Sequence, residues 1–380
     1  MTRYIFLTLI IPFIVSCKNG GSNISKGVTD PYSFVLIDED KSIGERTIKL
    51  SDLIEDYKVI TFEDSDSALF KNWKTSVSEN YIAIIQGGAM PIMLFTRDGK
   101  FISNVGRPGQ GPGEYEHVYD AVIDESQGSI FVAPWFSPLP TLEYNLKGDF
   151  LRSHNIPKIA KPAFFINHDG TISASSLTFN DQDDSATALT FDPRNDSIHY
   201  VSYPALSISL LNDAKDEAVG LENEMWAYRN VPTNVFMTTS NDTLYVYDPE
   251  RNEIFPRAFL KERSAKQSNS WYVGMELPQA ILYRVNGSNP RTIWLDKKNG
   301  EISNVTIIND FAGNAILSMS NFRDGYFIQI WEPSLLMERI EDSWLPNNEM
   351  TAEQRKELEN LRDRIDSEGN NIMFIGKLKQ

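Results

Sequence analysis

The sequence predicts an all-β chain folded as a six-bladed β-propeller, closed by an N-terminal strand in the last blade and carrying one C-terminal helix insertion. Three observations predict it. From about residue 30 to 345, short stretches rich in Ile, Val, Phe, Tyr and Thr alternate with Gly, Asn, Asp and Pro, and no helical period dominates. Turn dipeptides whose residues tolerate positive φ punctuate them: Asp98-Gly99, Asp169-Gly170, Asn286-Gly287, Asn299-Gly300 and Asp324-Gly325. A degenerate repeat, 49 residues from Gly99 to Gly148, has the length of one propeller blade.

The elements follow in order. "YIAIIQ", "GSIFVAP", "DTLYVYD", "AILSMS" and "YFIQIW" read as strands. "LFTRDGKFISNVG" (94–106), "EYNLKGDFLRSHN" (143–155) and "TIWLDKKNGEISNV" (292–305) share an aromatic, a polar Gly turn and an apolar strand. "DESQGSIFVAP" (124–134), "NHDGTISAS" (167–175) and "NFRDGYFIQI" (321–330) read as the second hairpin of the same unit. Residues 66–335 hold about five such units and part of a sixth. The chain ends supply the missing part. "YKVITFED" (57–64) is a strand without a hairpin partner, and "NNIMFIGKLK" (370–379) is another. Pairing them in the last blade removes two open edges. Between blade and end, "TAEQRKELENLRDRI" (351–365) reads as a helix: Thr351 and Gln354 form a capping box, and Leu358, Leu361 and Ile365 share one face. A two-sheet sandwich is the competing architecture.

Composition narrows function. Lys and Arg total 36 against 52 Asp and Glu, a formal charge of −16, which argues against nucleic acid and against charge-driven adhesion to an anionic membrane. Cys17 is the single cysteine, so no disulfide forms within the chain. It ends "MTRYIFLTLIIPFIVSC", a basic start and an apolar run too short to span a bilayer but of signal-peptide length. "IVSC" resembles the lipobox of bacterial lipoproteins, in which the cysteine is lipidated; Ile14 and Val15 depart from the usual residues. The expected organisation is a signal peptide over 1–17, a flexible tether over 18–30 and a propeller over 31–380. Ordinary secretion with cleavage nearby is the competing reading.

"GRPGQGPGEY" (106–115) looks most like a motif. It is not a phosphate loop, because Pro112 and Gly113 stand where Lys and Ser or Thr are required. Each proline also deletes a backbone donor, and Glu114 adds negative charge. A link between blades fits better, with Gly106, Pro108, Gly109, Gly111, Pro112, Gly113 and Tyr115 as architecture. Arg107, Gln110 and Glu114 are its polar members, expected to pin the loop, with ligand contact as the other reading.

"VGRPGQGPGEYEH" followed by "DAVIDESQGSIFVAP" resembles the six-bladed β-propeller lipoproteins of Gram-negative bacteria, relatives of NHL-repeat propellers. "IKLSDLIEDYKVITFED" and "NNIMFIGKLK" are similar to that family's termini. The resemblance implies the fold, export and lipid anchoring at Cys17; it implies no reaction and no catalytic residues.

Chemistry-bearing residues are sparse. His117, His154, His168 and His199 lack metal-site spacing and read as surface and turn residues, and "DQDD" (181–184) lacks a calcium-loop pattern. No Gly-x-Ser-x-Gly elbow occurs, so neither a metal nor a cofactor is expected. Trp135 and Phe136, in "APWFSPLPTLEY", are candidates for stacking on a sugar or gripping a peptide. Trp226, Tyr228 and Arg229 in "MWAYRN" are weaker candidates. The expectation is a monomer anchored in the cell envelope, at the outer membrane or periplasmic face. It would serve as a non-catalytic platform for a protein or glycan partner. A hydrolase or lyase with its site at the central channel is the alternative.

Overall fold

A computed structural model describes residues 28–156, 159–179, 185–208, 223–239, 241–263, 270–347 and 350–380. Cys17, the tether up to residue 27, "DQDD" and residues 209–222 lie outside the described residues. Six antiparallel sheets follow one another along the chain. Blade I comprises Lys74–Val77, Tyr81–Ile85, Ile92–Thr96 and Phe101–Val105. Blade II comprises Val118–Asp124, Ser129–Pro134, Thr141–Asn145 and Phe150–His154. Blade III comprises Ala163–Ile166, Ile172–Ser175, Ala188–Asp192 and Ser197–Val201. Blade IV is built from Met225–Trp226, Asn234–Thr238, Thr243–Asp248 and Glu253–Lys261. Trp271–Glu276, Ala280–Asn286, Arg291–Asp296 and Ile302–Asn309 form blade V.

Blade VI joins the two ends of the chain. Phe322–Arg323, Tyr326–Trp331 and Ile372–Leu378 are followed outward by Ile54–Thr61, which runs antiparallel to Ile372–Leu378 with Val59 opposite Phe374. The N-terminal strand therefore closes the ring, as the unpaired "YKVITFED" predicts. Two further N-terminal strands add to neighbouring blades. Val35–Asp38 lies parallel to Glu253–Lys261, and Glu45–Lys49 lies parallel to Ile302–Asn309. The segment so covers the outer edges of blades IV, V and VI in turn, satisfying backbone groups that open edges would expose.

The core is a set of slabs between adjacent blades. Phe95, Ile82 and Ile84 of blade I meet Tyr326, Ile328 and Met373 of blade VI, the contact that closes the circle. Phe131 of blade II packs on Phe164 and Phe191 of blade III, and Phe236 of blade IV meets Leu177 and Ala188 of blade III. Each buried phenyl ring contributes roughly 1.5–3 kcal/mol from area removed from water. Arg257, wholly buried, bolts the start of the chain to this core. It grips Glu276 with Nε and Nη2 at 2.9 and 2.8 Å and donates to the carbonyls of Val28 and Ser33 at 2.6 and 2.8 Å.

The helical insertion sits between two strands of blade VI. Gln354 N donates to Thr351 Oγ1 at 3.1 Å and Thr351 N to Gln354 Oε1 at 2.9 Å, so the predicted capping box starts helix Ala352–Arg362. Leu358 and Leu361 are buried against blades V and VI. A second helix, Pro333–Arg339, precedes it, opened by a proline at its first turn. "AILSMS" is strand only at Ala315–Ile316, because the Ser318–Asn321 capping box turns the chain into a short 3-10 helix. Among the described residues no helix is long and apolar enough to cross a membrane.

Candidate functional site

The Gly/Pro segment is a tight hub between blades I and II. Arg107–Pro108 pairs in parallel with Glu114–Tyr115, and the Glu114 carboxylate accepts from Gly111 N at 2.9 Å and from Arg107 Nε at 2.5 Å. Gly111 and Arg107 hold that carboxyl below its ordinary range. Gln110 hydrogen-bonds Glu116. Tyr115 is buried with its ring edge-on to Tyr144 of blade II, and its hydroxyl reaches back into blade I, donating to Val105 O at 2.7 Å and accepting from Ile92 N at 2.8 Å. Gly106 has φ +60°, and a Cβ there would sit 2.6 Å from the Tyr144 ring. Arg107 and Glu114 thus engage each other within the motif, and Gln110 engages Glu116 just beyond it. Its concave side, with Leu139, Leu142 and Phe150, encloses an apolar pocket of about 470 Å3.

The first strands of the blades and the residues flanking them bring charged groups together. Arg229 of blade IV donates to Asp120 of blade II at 2.6 Å, to Asp324 of blade VI at 2.5 Å and to Phe164 O of blade III at 3.2 Å. Asp324 also accepts from Val77 N of blade I at 2.9 Å. Five blades are tied through one guanidinium. Burial disfavours its charge, but Asp120 and Asp324 outweigh that and raise its pKa. Arg229, Asp324 and Lys161 all have positive φ, at 56, 57 and 46°. Side chains other than glycine persist there only where the surroundings over-determine them.

The two ends of the channel differ. Lys74 and Val77, at the two ends of the first strand of blade I, line different recesses. At the Val77 end, Val122, Phe165, Arg229, Pro232 and Asp324 line a recess of about 350 Å3. At the Lys74 end, aromatic rings and cations gather. Lys74 Nζ donates to Tyr119 O at 2.9 Å and lies 4.5 Å from the Trp73 ring and 3.6 Å from the Tyr119 ring. Trp135 is nearly parallel to Trp73, with centroids 6.3 Å apart, and its indole N–H donates to Val118 O. Lys161 Nζ donates to Glu224 at 2.7 Å, and Glu224 also accepts from Tyr119 Oη. Burial pushes the Lys74 amine down to about 8, Asp120 opposing and Arg323 adding to the shift. Trp73 is 40 % exposed and Phe136 36 %. Beside them a pocket of about 470 Å3 is lined by Trp73, Lys74, Thr75, Asn321, Arg323 and Gln329.

The structure places Trp135 and Phe136 on this face, together with Trp73, Lys74, Lys161 and Arg323, which the sequence reading did not single out. The signal was present: each is a charged or aromatic residue at or just before a blade's first strand. Arg229 is the axial hub, whereas Tyr228 is buried and Trp226 packs between blades. His117, His168 and His199 are exposed, as expected of surface residues. His154 is not. It is buried between Phe131 and Phe191, with Glu143 at 3.1 Å and Asp196 at 2.6 Å from its two ring nitrogens. Among the described residues no His, Asp or Glu group is arranged to hold a metal ion.

Residues 34–377 match the family model described as a domain of unknown function, DUF4934. Among solved structures, a Bacteroides fragilis protein described as exported is similar with a TM-score of 0.62 at 16% identity, covering 92% of this chain and 100% of that one. A member of the DUF4221 family from Bacteroides vulgatus is similar with a TM-score of 0.47 at 13% identity, covering 86% of this chain and 98% of that one. No curated protein matches the sequence. At such identity the Bacteroides fragilis protein shares the fold alone, but the family match spans all six blades and the closing strand: this chain belongs to the DUF4934 family.

Proposed function

We propose that this protein is an exported β-propeller, lipid-anchored through Cys17, that binds a glycan or protein partner on its Lys74 face without transforming it. The observation that carries the reading is the contrast along the channel. Asp120, Arg229 and Asp324 are consumed in mutual ion pairs at the axis, while Trp73, Trp135 and Phe136 cluster at the mouth. Such a cluster on a rigid scaffold suits recognition more than turnover. The apolar leader, the lipobox and the resemblance to NHL-like propeller lipoproteins support anchoring. A concave, part-aromatic pocket favours a glycan over a protein.

The test is capture from gently solubilised native membranes. The wild-type chain should fractionate with membranes and retain a partner, Cys17→Ala should be soluble, and a Trp73→Ala, Trp135→Ala pair should stay anchored but lose the partner. Turnover of a glycan or peptide by the purified protein would replace this reading with a hydrolase or lyase. The observation favouring that second reading is Lys74, whose amine at about 8 stands near Tyr119 and Glu224.

A further inference from the structure

We propose that the pocket between Trp73, Lys74 and Arg323 binds an acidic saccharide, with a carboxylate or sulfate against the two cations and a ring face on Trp73. The inference rests on the Lys74 face being a binding face and adds the chemistry of what it binds. The chain carries 52 acidic against 36 basic residues, so carboxylates to neutralise an inward-facing cation are plentiful. Several of the buried cations use them. Lys161 holds Glu224, Arg229 holds Asp120 and Asp324, Arg257 and Lys297 share Glu276, and Arg291 holds Glu39 and Glu262. Lys74 and Arg323 have no ion pair among the described residues and line one pocket.

The Lys74 ammonium has one carbonyl and two ring faces around it and, among the described residues, no carboxylate in contact. Arg323 has no ion-pair or hydrogen-bond partner for its guanidinium among the described residues; its Nε is buried, and the Tyr228 ring lies 6.0 Å away. Arg323 disfavours the Lys74 ammonium across the pocket while Asp120 favours it from behind, and an anion delivered between the two cations is attracted to both. Burial does most to push the Lys74 amine down, and Arg323 adds to it. Gln329 lines the same pocket, and its Oε1 is buried without a partner. The site thus lacks an acceptor for Arg323 and a donor for Gln329. An acidic sugar carries both, as a charged oxygen and a hydroxyl, and its apolar ring face suits the half-exposed indole of Trp73. A volume of about 470 Å3 lies within the range of small-ligand sites.

The experiment is calorimetric titration of the protein with three matched probes: a galacturonic acid trimer, a 6-O-sulfated galactose trimer and the neutral galactose trimer. At least one acidic probe should bind about tenfold more tightly than the neutral one, a difference of ~1.4 kcal/mol. That advantage should shrink as salt rises from ~50 to ~500 mM. Which acidic probe wins identifies the anion as carboxylate or sulfate. Arg323→Gln and Lys74→Met should each remove most of the advantage while leaving the thermal melt in place. An acidic probe that binds no better than its neutral mate overturns the inference, as does a preference that survives both substitutions. Equal binding of all three probes, lost in Trp73→Ala, overturns the anion site but keeps the binding face. No saccharide binding, with a membrane protein still captured through Trp73, overturns it in favour of a protein partner.

Discussion

His154 is held by Glu143 and Asp196 between two phenyl rings, and Glu143 also accepts from Ser129 at 2.7 Å and Arg152 at 2.6 Å. Burial works against the imidazolium, but the hydrogen bonds to Glu143 and Asp196 outweigh it and raise the His154 pKa above 6.5. Burial likewise opposes the Glu143 carboxylate, yet His154, Ser129 and Arg152 lower it to about 2. The signs set a window. A raised histidine contributes stability in full below its unfolded value and loses it as pH rises through the folded one. A lowered glutamate contributes above 4.5 and loses it as pH falls toward 2. The cluster is therefore strongest near pH 5–6. His154→Gln should cost about 2 kcal/mol there by urea denaturation and progressively less above pH 7. A gap that does not narrow with rising pH would assign His154 a packing role alone.

At the scale of the element, the blade link behaves as a knot. Gly113 has φ +72°, and a Cβ on it would lie 2.5 Å from the Phe150 ring, which belongs to the outermost strand of blade II. Gly128, at φ +69°, sits in open space at a hairpin turn. The pair separates conformational strain from collision. Gly128→Ala should lose roughly 1 kcal/mol, and Gly113→Ala roughly 3 kcal/mol or more, because Phe150 must also move. Equal losses, measured by denaturant melts, would show that the link yields and does not lock blades I and II. The same reasoning explains why the motif is so dense in glycine and proline. Its carboxylate, Glu114, must approach backbone N–H groups closely, and its prolines keep the unfolded chain from straying far.

The whole molecule depends on closing a circle. A chain starting at residue 44 loses the parallel strand Val35–Asp38 but keeps Ile54–Thr61, whereas one starting at residue 64 loses both. The first should remain a folded ring with a lowered melting temperature. The second leaves the Ile372–Leu378 edge open and should aggregate or fold only when a peptide spanning residues 54–61 is added back. Cooperative unfolding of the shorter chain at the wild-type temperature would show that the closing strand is dispensable.

The sequence by itself determined the strands, their turns, the 49-residue period, the capped helix and the pairing of the two chain ends. These rest on local chemistry: alternation of apolar residues, positive-φ turn dipeptides and edges that must be satisfied. It also set the Gly/Pro segment apart from a phosphate loop, because missing donors and a carboxylate are visible without coordinates. Only the tertiary structure decided which residues meet. Lys74, Asp120, Lys161, Arg229 and Arg323 come from different blades and stand up to 249 positions apart. No sequence spacing reports their meeting at one axis, since the ring brings together the first strand of every blade whatever its neighbours in the chain. The N-terminal strands on blades IV and V, the burial of His154 and the gathering of cations at the Lys74 mouth follow from that same closure.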